Sequence, residues 1–315
     1  MLPCLNEELT LANVIRDFRR EIPSVEVYVF DNNSTDRSVE IAIQEGATVI
    51  PVLMRGKGNV VRKMFEVVEA DIYLMVDSDD TYDAKGVHRL MEPLLRGEAD
   101  MVVGSRLEDH SATAFRKFHR FGNALILRLI NVIFGSRLTD ICSGYRAMSR
   151  AFVKNIPFMR NGFEVETELT VYSLIYGFSV REVALNYRHR PPNSHSKLRT
   201  FSDGYKVLVT IVWLARDLRP LLFFASVGML LYFGVTLPLV LLKPTATYLH
   251  NTLTLVSISL GMIGLILNTL HIRFQELQQL SRRNTDAKGL SLGPSVPRVS
   301  LPVSDNNPLR EVVNH

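Results

Sequence analysis

Cysteine is scarce in this sequence, which has only Cys4 and Cys142 among its 315 residues. The two lie far apart and match no metal-ligand spacing, so we expect neither a cysteine-based metal site nor a disulfide framework. A signal peptide is also missing ahead of the polar N-terminal part. The sequence therefore predicts that residues 1–200 stay in a reducing compartment.

A strong charge imbalance is absent as well, because the formal net charge at pH 7 is only +4. Nucleic acid is therefore not an expected partner. The basic residues are nevertheless clustered: one group is Arg116, Lys117, Arg120, Arg128, Arg137, Arg146 and Arg150, and a second is Arg188, Arg190, Lys197, Arg199 and Lys206. Basic clusters ahead of apolar segments suit anionic lipid head groups, although a solvated basic surface explains them equally well.

Short apolar segments alternate with helical patterns through the first two thirds of the chain. The predicted strands cover 25–31, 48–52, 72–77 and 101–105, and the predicted helices cover 34–45, 59–70 and 85–96. This alternation predicts an α/β fold with a Rossmann-like, doubly wound, mostly parallel sheet. Ligands of such sheets bind at the carboxyl ends of the strands, where Asp31 and Asp77 are placed. Since few residues precede the first loop, we expect the first strand to be short or missing.

Two long uncharged apolar segments, 221–242 and 250–271, follow the α/β part. Each is long enough to cross a bilayer, which takes about 20 helical residues, and the short connection 243–249 makes them a hairpin. A buried core helix is the alternative, but two in tandem are hard to bury in a chain of this size. Arginines flank the pair and Lys243 alone lies between, so the positive-inside rule predicts that both ends are cytosolic.

Two other segments, 115–134 and 202–219, carry apolar residues at helical spacing mixed with basic ones. Each either lies on the bilayer surface or packs on the protein core. We predict four parts in all: an α/β domain at 1–201, a juxtamembrane amphipathic helix at 202–219, two transmembrane helices within 220–272, and a cytosolic, disordered tail at 273–315.

An acidic turn follows the predicted strand 72–77 and contains Asp77, Ser78, Asp79 and Asp80. Two carboxylates separated by one residue at a strand end can bind a hard divalent cation through oxygen. A polar turn without a ligand is the alternative. The position after a buried strand favours the metal site, in which Mg²⁺ would be shared with the phosphates of a nucleotide.

Six motifs, in this order and spacing, resemble those of family 2 glycosyltransferases with the GT-A fold. They cover 3–8, 31–36, 55–58, 77–79, 140–146 and 162–166. The last two resemble the branch of dolichyl-phosphate mannose synthases and polyprenyl-phosphate glucosyltransferases. The resemblance covers about 1–205 and agrees with a following membrane hairpin. The chain departs from the pattern at Thr81, where many relatives have glutamine and where threonine offers a metal only a hydroxyl group.

The resemblance implies a site for a nucleotide-sugar donor. Its expected residues are Pro3, Leu5, Glu7, Asp31, Asn33, Arg55, Lys57, Asp77, Ser78 and Glu166. Asp31 would accept a hydrogen bond from the base, with helix capping through Ser34 as the alternative. Asp79, together with Asp77, would bind Mg²⁺ or Mn²⁺.

The same resemblance implies a site for the phosphate of a lipid acceptor. Arg146 is expected to hold that phosphate, helped by Arg116, Lys117 and Arg120, for which plain surface charge is an equal alternative. Asp79 and Arg146 are the expected catalytic residues. Because a phosphate monoester with a second pKa of about 6 is already nucleophilic at pH 7, we expect no dedicated general base.

These expectations describe an enzyme that moves a sugar from a nucleotide-sugar, with UDP-sugars favoured, to undecaprenyl or dolichyl phosphate. The transfer would be inverting and metal-dependent, and would occur at the cytosolic face of the cell membrane. One alternative is a processive or oligosaccharide transferase with a hydroxyl acceptor, although Trp213 lacks the Gln-x-x-Arg-Trp context of processive synthases. A non-catalytic membrane adaptor is the other. The sugar, and whether the chain forms a homo-oligomer, stay open.

Overall fold

The computed structural model describes residues 1–106, 127–156, 165–188, 190–191, 200–243 and 245–289. Its N-terminal part is a parallel sheet of three strands in the order β1-β2-β3. The elements are β1 (Leu2–Cys4), α1 (Leu11–Glu21), β2 (Tyr28–Asp31), α2 (Ser38–Gln44) and β3 (Thr48–Pro51). Cys4, Asp31 and Pro51 are in register at the carboxyl ends of the three strands.

A second sheet contains four strands in the order β4-β6-β5-β7. Its elements, with the helices between them, are α3 (Lys57–Val67), β4 (Ile72–Met75), a 3₁₀ turn (Ala84–Gly86), α4 (Val87–Leu95), β5 (Met101–Arg106), α5 with 127–134 described, β6 (Arg146–Ser149), α6 (Arg150–Asn155), α7 (Val165–Ile175) and β7 (Val180–Leu185). Strand β6 runs antiparallel to both β4 and β5. β5 and β7 are parallel.

The two sheets meet along β1 and β4. The Met1 amino group donates to the Leu74 carbonyl at 2.7 Å, and the Val76 amide donates to the Met1 carbonyl at 3.2 Å. The Ser78 hydroxyl continues this edge with a 2.8 Å hydrogen bond to the Pro3 carbonyl. The end of β4 is therefore placed directly beside the end of β1, which brings the acidic turn next to the first motif.

Apolar clusters on the two faces of the sheets hold the fold together. One contains Phe30, Met64 and Phe152, and the other contains Leu11 and Leu90. Helices on both faces are what a doubly wound α/β fold requires, and this predicted fold class is confirmed.

β1 agrees with the sequence-based expectation, whereas β2 differs from it and β6 and β7 were not predicted. β1 is short, as expected, with three residues. β2 begins at Tyr28 instead of residue 25. The antiparallel strand β6 was not predicted, because Arg146–Ser149 contains a charged residue and offers no apolar run or alternation from which a strand could be recognised.

The C-terminal part is helical. It comprises α8 (Thr200–Leu218), α9 (Pro220–Leu231), a π-helical turn (Tyr232–Thr236), α10 (Leu237–Leu242) and α11 (Thr247–Gly289). The π turn precedes Pro238, which lacks an amide hydrogen and clashes with the carbonyl four residues before it. Pro220–Leu242 and Thr247–Phe274 are both long and apolar enough to cross a membrane.

Two findings bear on the sequence-based expectations for this part. α8 buries Ile211 and Leu214 on the domain core and leaves Val212 and Trp213 exposed, so it packs on the protein with one face only. The predicted disordered tail began at residue 273, whereas α11 continues to Gly289, because glutamate, glutamine, leucine and arginine are good helix formers. From Thr269 on, the chain forms a second compact unit, whose described part is the end of α11.

Candidate active site

The acidic turn after β4 is held tightly by its neighbours. Ser78 is buried, and its carbonyl accepts a 2.6 Å hydrogen bond from the Thr10 hydroxyl. Asp79 is only 4% exposed. Asp80 adopts a left-handed backbone conformation, with φ of 57°, which turns the chain back toward the sheet. The carboxylate of Asp79 is therefore presented in one orientation.

Both oxygens of the Asp79 carboxylate have hydrogen-bond partners. Oδ1 accepts from the Thr81 hydroxyl at 2.5 Å and from the Thr81 amide at 3.2 Å. Oδ2 accepts from the guanidinium of Arg190. Thr81, the residue that departs from the family pattern, thus orients the carboxylate through its own hydroxyl group.

Lys57 connects Asp77 to Glu166. Its ammonium nitrogen lies 2.5 Å from Asp77 Oδ1 and 2.5 Å from Glu166 Oε1. Burial alone lowers the pKa of Lys57, but the charges and hydrogen bonds of the two carboxylates outweigh burial and raise that pKa above its ordinary value. Lys57 was expected to face a diphosphate, whereas here its charge is shared between two acids from β4 and α7.

The loop that carries Arg55 and Lys57 is fixed by Asn32, a residue that the sequence-based reasoning did not single out. The Asn32 amide donates to the carbonyls of Val52 and Met54 at 2.8 Å each, and its oxygen accepts from the Gly56 amide at 2.8 Å. The side chain of Asn32 therefore uses both of its donor hydrogens and one of its two acceptor positions on this loop. The sequence feature that could have identified Asn32 is its position directly after Asp31, the last residue of β2.

The loop after β2 holds two of the expected donor residues. The Asp31 carboxylate accepts from the Ser34 amide at 3.2 and 3.3 Å, a contact within the loop that does not cap α2, which begins at Ser38. Asn33, with φ of 67°, donates to the Leu53 carbonyl at 3.0 Å. Arg55 is exposed. These residues lie around the carboxyl ends of β2 and β3, as the fold predicts.

The first motif forms the neighbouring wall. Pro3 is the central residue of β1 and Leu5 follows the strand, both half-buried. Glu7 is buried; its amide donates to the Ser38 hydroxyl at 2.8 Å, and its carboxylate lies 3.8 Å from the Arg190 guanidinium. The structure thus brings Glu7 and Asp79, which are distant in sequence, to the same cation.

Arg146, the residue expected to hold the acceptor phosphate, has all its partners within the domain in this structure. It is fully buried in β6. Its guanidinium donates to the main-chain carbonyls of Ser143, Ile141 and Glu166 at 3.0, 2.8 and 3.0 Å, and to the Thr170 hydroxyl at 2.9 Å. Buried guanidinium groups need such partners, because desolvation is costly. In this structure Arg146 therefore ties the loop before β6 to the start of α7, and its expected role in holding a lipid phosphate stays a prediction.

Arg106, at the end of β5, was not predicted and is a partly exposed cation. It forms a bidentate pair with Asp140, at 2.7 and 2.9 Å. Burial lowers the pKa of Arg106, but the hydrogen bonds and charge of Asp140 outweigh it and raise that pKa. The Tyr187 ring lies 5.6 Å from its guanidinium carbon. Arg116, Lys117 and Arg120 lie outside the described residues.

The described residues include no group of three or more histidine, cysteine or acidic side chains that could hold a metal by themselves. Asp77 and Asp79 offer two carboxylates at one strand end. Mg²⁺ in nucleotide-binding proteins commonly takes one or two carboxylates and completes its shell with phosphate oxygens and water. The donor set therefore fits a metal that is shared with a diphosphate.

Comparison with known proteins gives one consistent result. The family model described as glycosyl transferase family 2 matches residues 1–156. Glycosyltransferase AglJ of Haloferax volcanii is 35% identical over 229 residues, which are 72% of this chain and 75% of that protein. A dolichyl-phosphate hexose transferase of the same organism is 28% identical over 207 residues, covering 66% and 89%.

Among solved structures, glucosyl-3-phosphoglycerate synthase from Mycobacterium tuberculosis, in complex with Mn²⁺, UDP-glucose and phosphoglyceric acid, is similar with a TM-score of 0.55 and 26% identity. The similarity covers 68% of this chain and 78% of that one.

Proposed function

Because the chain belongs to glycosyltransferase family 2, we propose that it transfers a sugar from a nucleoside diphosphate sugar to a polyprenyl phosphate at a membrane surface. The observation that carries the proposal is the acidic turn, which places Asp77 and Asp79 beside Pro3 and Glu7 at the carboxyl ends of β1 and β4. This is where α/β folds bind nucleotides.

The donor half of the site supports a UDP-sugar. The structural relative named above contains UDP-glucose and Mn²⁺. In this chain, Asp79 with Asp77 would hold Mg²⁺ or Mn²⁺, which neutralises the charge of a diphosphate leaving group. Asn32 fixes the loop that presents Arg55, and Asp31 and Asn33 would border the base.

The acceptor half supports a phosphate nucleophile. A relative is named a dolichyl-phosphate hexose transferase, and two apolar helices follow the domain. Arg106 would attract an acceptor phosphate at the end of β5, together with Arg116, Lys117 and Arg120, which follow it in the sequence.

The two acids that pair with Lys57 fit an inverting single displacement without a general base. Glu166 and Asp77 are both paired with Lys57, so neither carboxylate is placed to take a proton from an acceptor. A phosphate monoester needs no such help, because its second pKa is about 6 and it is mostly dianionic at pH 7. The residues then have to hold two phosphate groups near one another, and positively charged side chains offset the repulsion between them.

A second candidate is transfer to a hydroxyl group of a soluble, phosphate-bearing acceptor. The name of the structural relative, glucosyl-3-phosphoglycerate synthase, favours it. The exposed apolar surfaces of Pro220–Leu242 and Thr247–Phe274 support the lipid acceptor and a cytosolic catalytic domain on the cell membrane.

Membranes that contain the protein should be incubated with labelled UDP-glucose, UDP-N-acetylglucosamine or GDP-mannose, with and without added polyprenyl phosphate, and then extracted with organic solvent. We expect label in the lipid phase, and loss of it with EDTA. Asp79→Asn should reduce transfer by about a hundredfold or more, since the leaving group loses its cation. Glu66→Gln removes one exposed carboxylate of α3 and serves as the matched control. Label that appears only in water-soluble product would contradict the lipid acceptor.

A further inference from the structure

Arg190 is brought to the acidic turn by the chain that follows β7. The Arg188 amide donates to the Thr81 carbonyl at 2.7 Å, and Tyr187 pairs with Tyr82 as an isolated antiparallel bridge. This short pairing holds the chain beside the acidic turn, where Arg190 follows. The Arg190 guanidinium then contacts Asp79 Oδ2 and lies 3.8 Å from Glu7 Oε1.

This contact uses the oxygen that a metal ion would need. Asp79 is 4% exposed, and Thr81 already donates twice to Oδ1. Oδ2 is therefore the side of the carboxylate from which a cation can approach, and it is covered by a guanidinium. A divalent ion that binds there must displace Arg190 or lie against a like charge, which is unfavourable in a partly buried site.

We propose that Arg190 is a positioning residue that occupies the Asp79 carboxylate until the donor arrives, and that it then moves to the donor diphosphate as the metal takes its place. The proposal rests on the function proposed above and concerns the same site. A diphosphate draws the guanidinium away from Asp79 through charge-assisted hydrogen bonds. Metal alone therefore binds weakly, and metal and nucleotide bind with positive coupling.

The matched control is the neighbouring arginine. Arg188 pairs with Asp83 at 2.8 Å and lies 3.9 Å from Asp80, and it does not contact Asp79. Arg188→Gln and Arg190→Gln remove the same charge from the same short segment. A difference between the two variants therefore reports the contact with Asp79 and not the net charge.

The experiment titrates Mn²⁺, without nucleotide, into the detergent-purified full chain and follows the free ion by electron paramagnetic resonance. Arg190→Gln should bind Mn²⁺ about tenfold more tightly than wild type does, the order expected when one positive charge close to the metal ion is removed. Arg188→Gln and Arg190→Lys should stay near wild type. The gain should vanish in Asp79→Asn/Arg190→Gln.

A second arm measures UDP binding at saturating Mn²⁺. Here Arg190→Gln should bind UDP about tenfold more weakly, since one charge-assisted contact to the diphosphate is lost. Damage to the fold cannot tighten one ligand and weaken the other.

The proposal is overturned if Arg190→Gln binds Mn²⁺ no more tightly than Arg188→Gln, or if the gain survives the loss of Asp79. These outcomes are independent of the transfer assay. A tighter Mn²⁺ site without any glycolipid product would refute the proposed function alone, and normal glycolipid synthesis without a change in Mn²⁺ affinity would refute the role of Arg190 alone.

Discussion

At the scale of single residues, the site depends on buried charges with defined partners. Lys57 carries one positive charge between two carboxylates, and its side chain is 12% exposed. Pairs of this kind add little net stability compared with an apolar replacement of all members, but removing one member leaves uncompensated charge. Lys57 therefore connects the loop before α3 to both β4 and α7.

Lys57→Met should destabilise the protein by about 3 kcal/mol, because Asp77 and Glu166 then face each other without a counter-charge. Glu166→Gln should cost less and retain substantial transfer activity, since Lys57 keeps Asp77 as its partner. Denaturant unfolding of the detergent-purified variants, read beside the transfer rate, tests this. Equal stability of Lys57→Met and wild type would contradict the stabilising role of the ion pairs that Lys57 makes with Asp77 and Glu166.

Arg146 gives a second prediction at this scale. Arg146→Lys keeps the charge but cannot make four separate hydrogen bonds, so buried carbonyls lose donors at about 1 kcal/mol or more each. We expect a lower unfolding temperature and a lower kcat, with an unchanged KM for polyprenyl phosphate. A raised acceptor KM in a variant of normal stability would support the phosphate-binding role that the sequence had predicted.

At the scale of elements, α9 and α11 pack closely at two glycines. A methyl group on Gly228 would come within 2.7 Å of the Ser257 carbonyl oxygen, and one on Gly264 would lie 2.9 Å from the Phe224 Cβ. Gly234 and Gly261 have nothing within 4 Å of that position. Small residues at helix contacts let backbones approach, which is how apolar helices associate in lipid.

Gly228→Ala and Gly264→Ala should therefore separate the two helices and lower the temperature at which the detergent-solubilised protein aggregates. Gly234→Ala and Gly261→Ala should be neutral or slightly stabilising, since alanine is the better helix former by about 1 kcal/mol. A heating series with detection of the soluble fraction distinguishes the pairs. If all four variants behave alike, the glycines do not define this contact.

At the scale of the whole molecule, the two long apolar helices predict on which side of a membrane the domain lies. Arg216 and Arg219 lie before Pro220–Leu242, and Lys243 alone is basic in the connection to the next helix among the residues that the structure describes there. By the positive-inside rule, such asymmetry predicts that the arginine side is cytosolic. It would put the carboxyl ends of the strands on the side where nucleotide-sugars are made.

Single cysteines at Asp217 and at Thr245, both exposed positions, should be labelled from opposite faces by a membrane-impermeant maleimide. Asp217→Cys should react only after the membrane is permeabilised, so that the reagent reaches the cytosolic face. The two natural thiols provide a low background, because burial raises the pKa of Cys4 to about 12 and that of Cys142 to about 11. At pH 7 both therefore have little thiolate. Labelling of both engineered positions from the same face would refute the hairpin.

The sequence by itself determined the parts of this protein that depend on local pattern. Buried parallel strands are continuous apolar runs, so β2 and β4 and the acids at or just after their ends could be predicted, and uncharged runs of bilayer length marked the two apolar helices. The motifs were sufficient for the family. β6, with its short and charged sequence, was not recognisable from local pattern.

Only the tertiary structure decided which charges meet. Lys57 and Asp77 are 20 positions apart, and Arg190 and Asp79 are 111 apart. Arg146 and Arg190 both belong to basic clusters and look alike in the sequence, yet one is fully buried against main-chain carbonyls and the other lies on the acidic turn. Whether a charged side chain is buried, and by which partner it is neutralised, depends on how distant elements pack, because the cost of desolvation is offset only where partners converge in space.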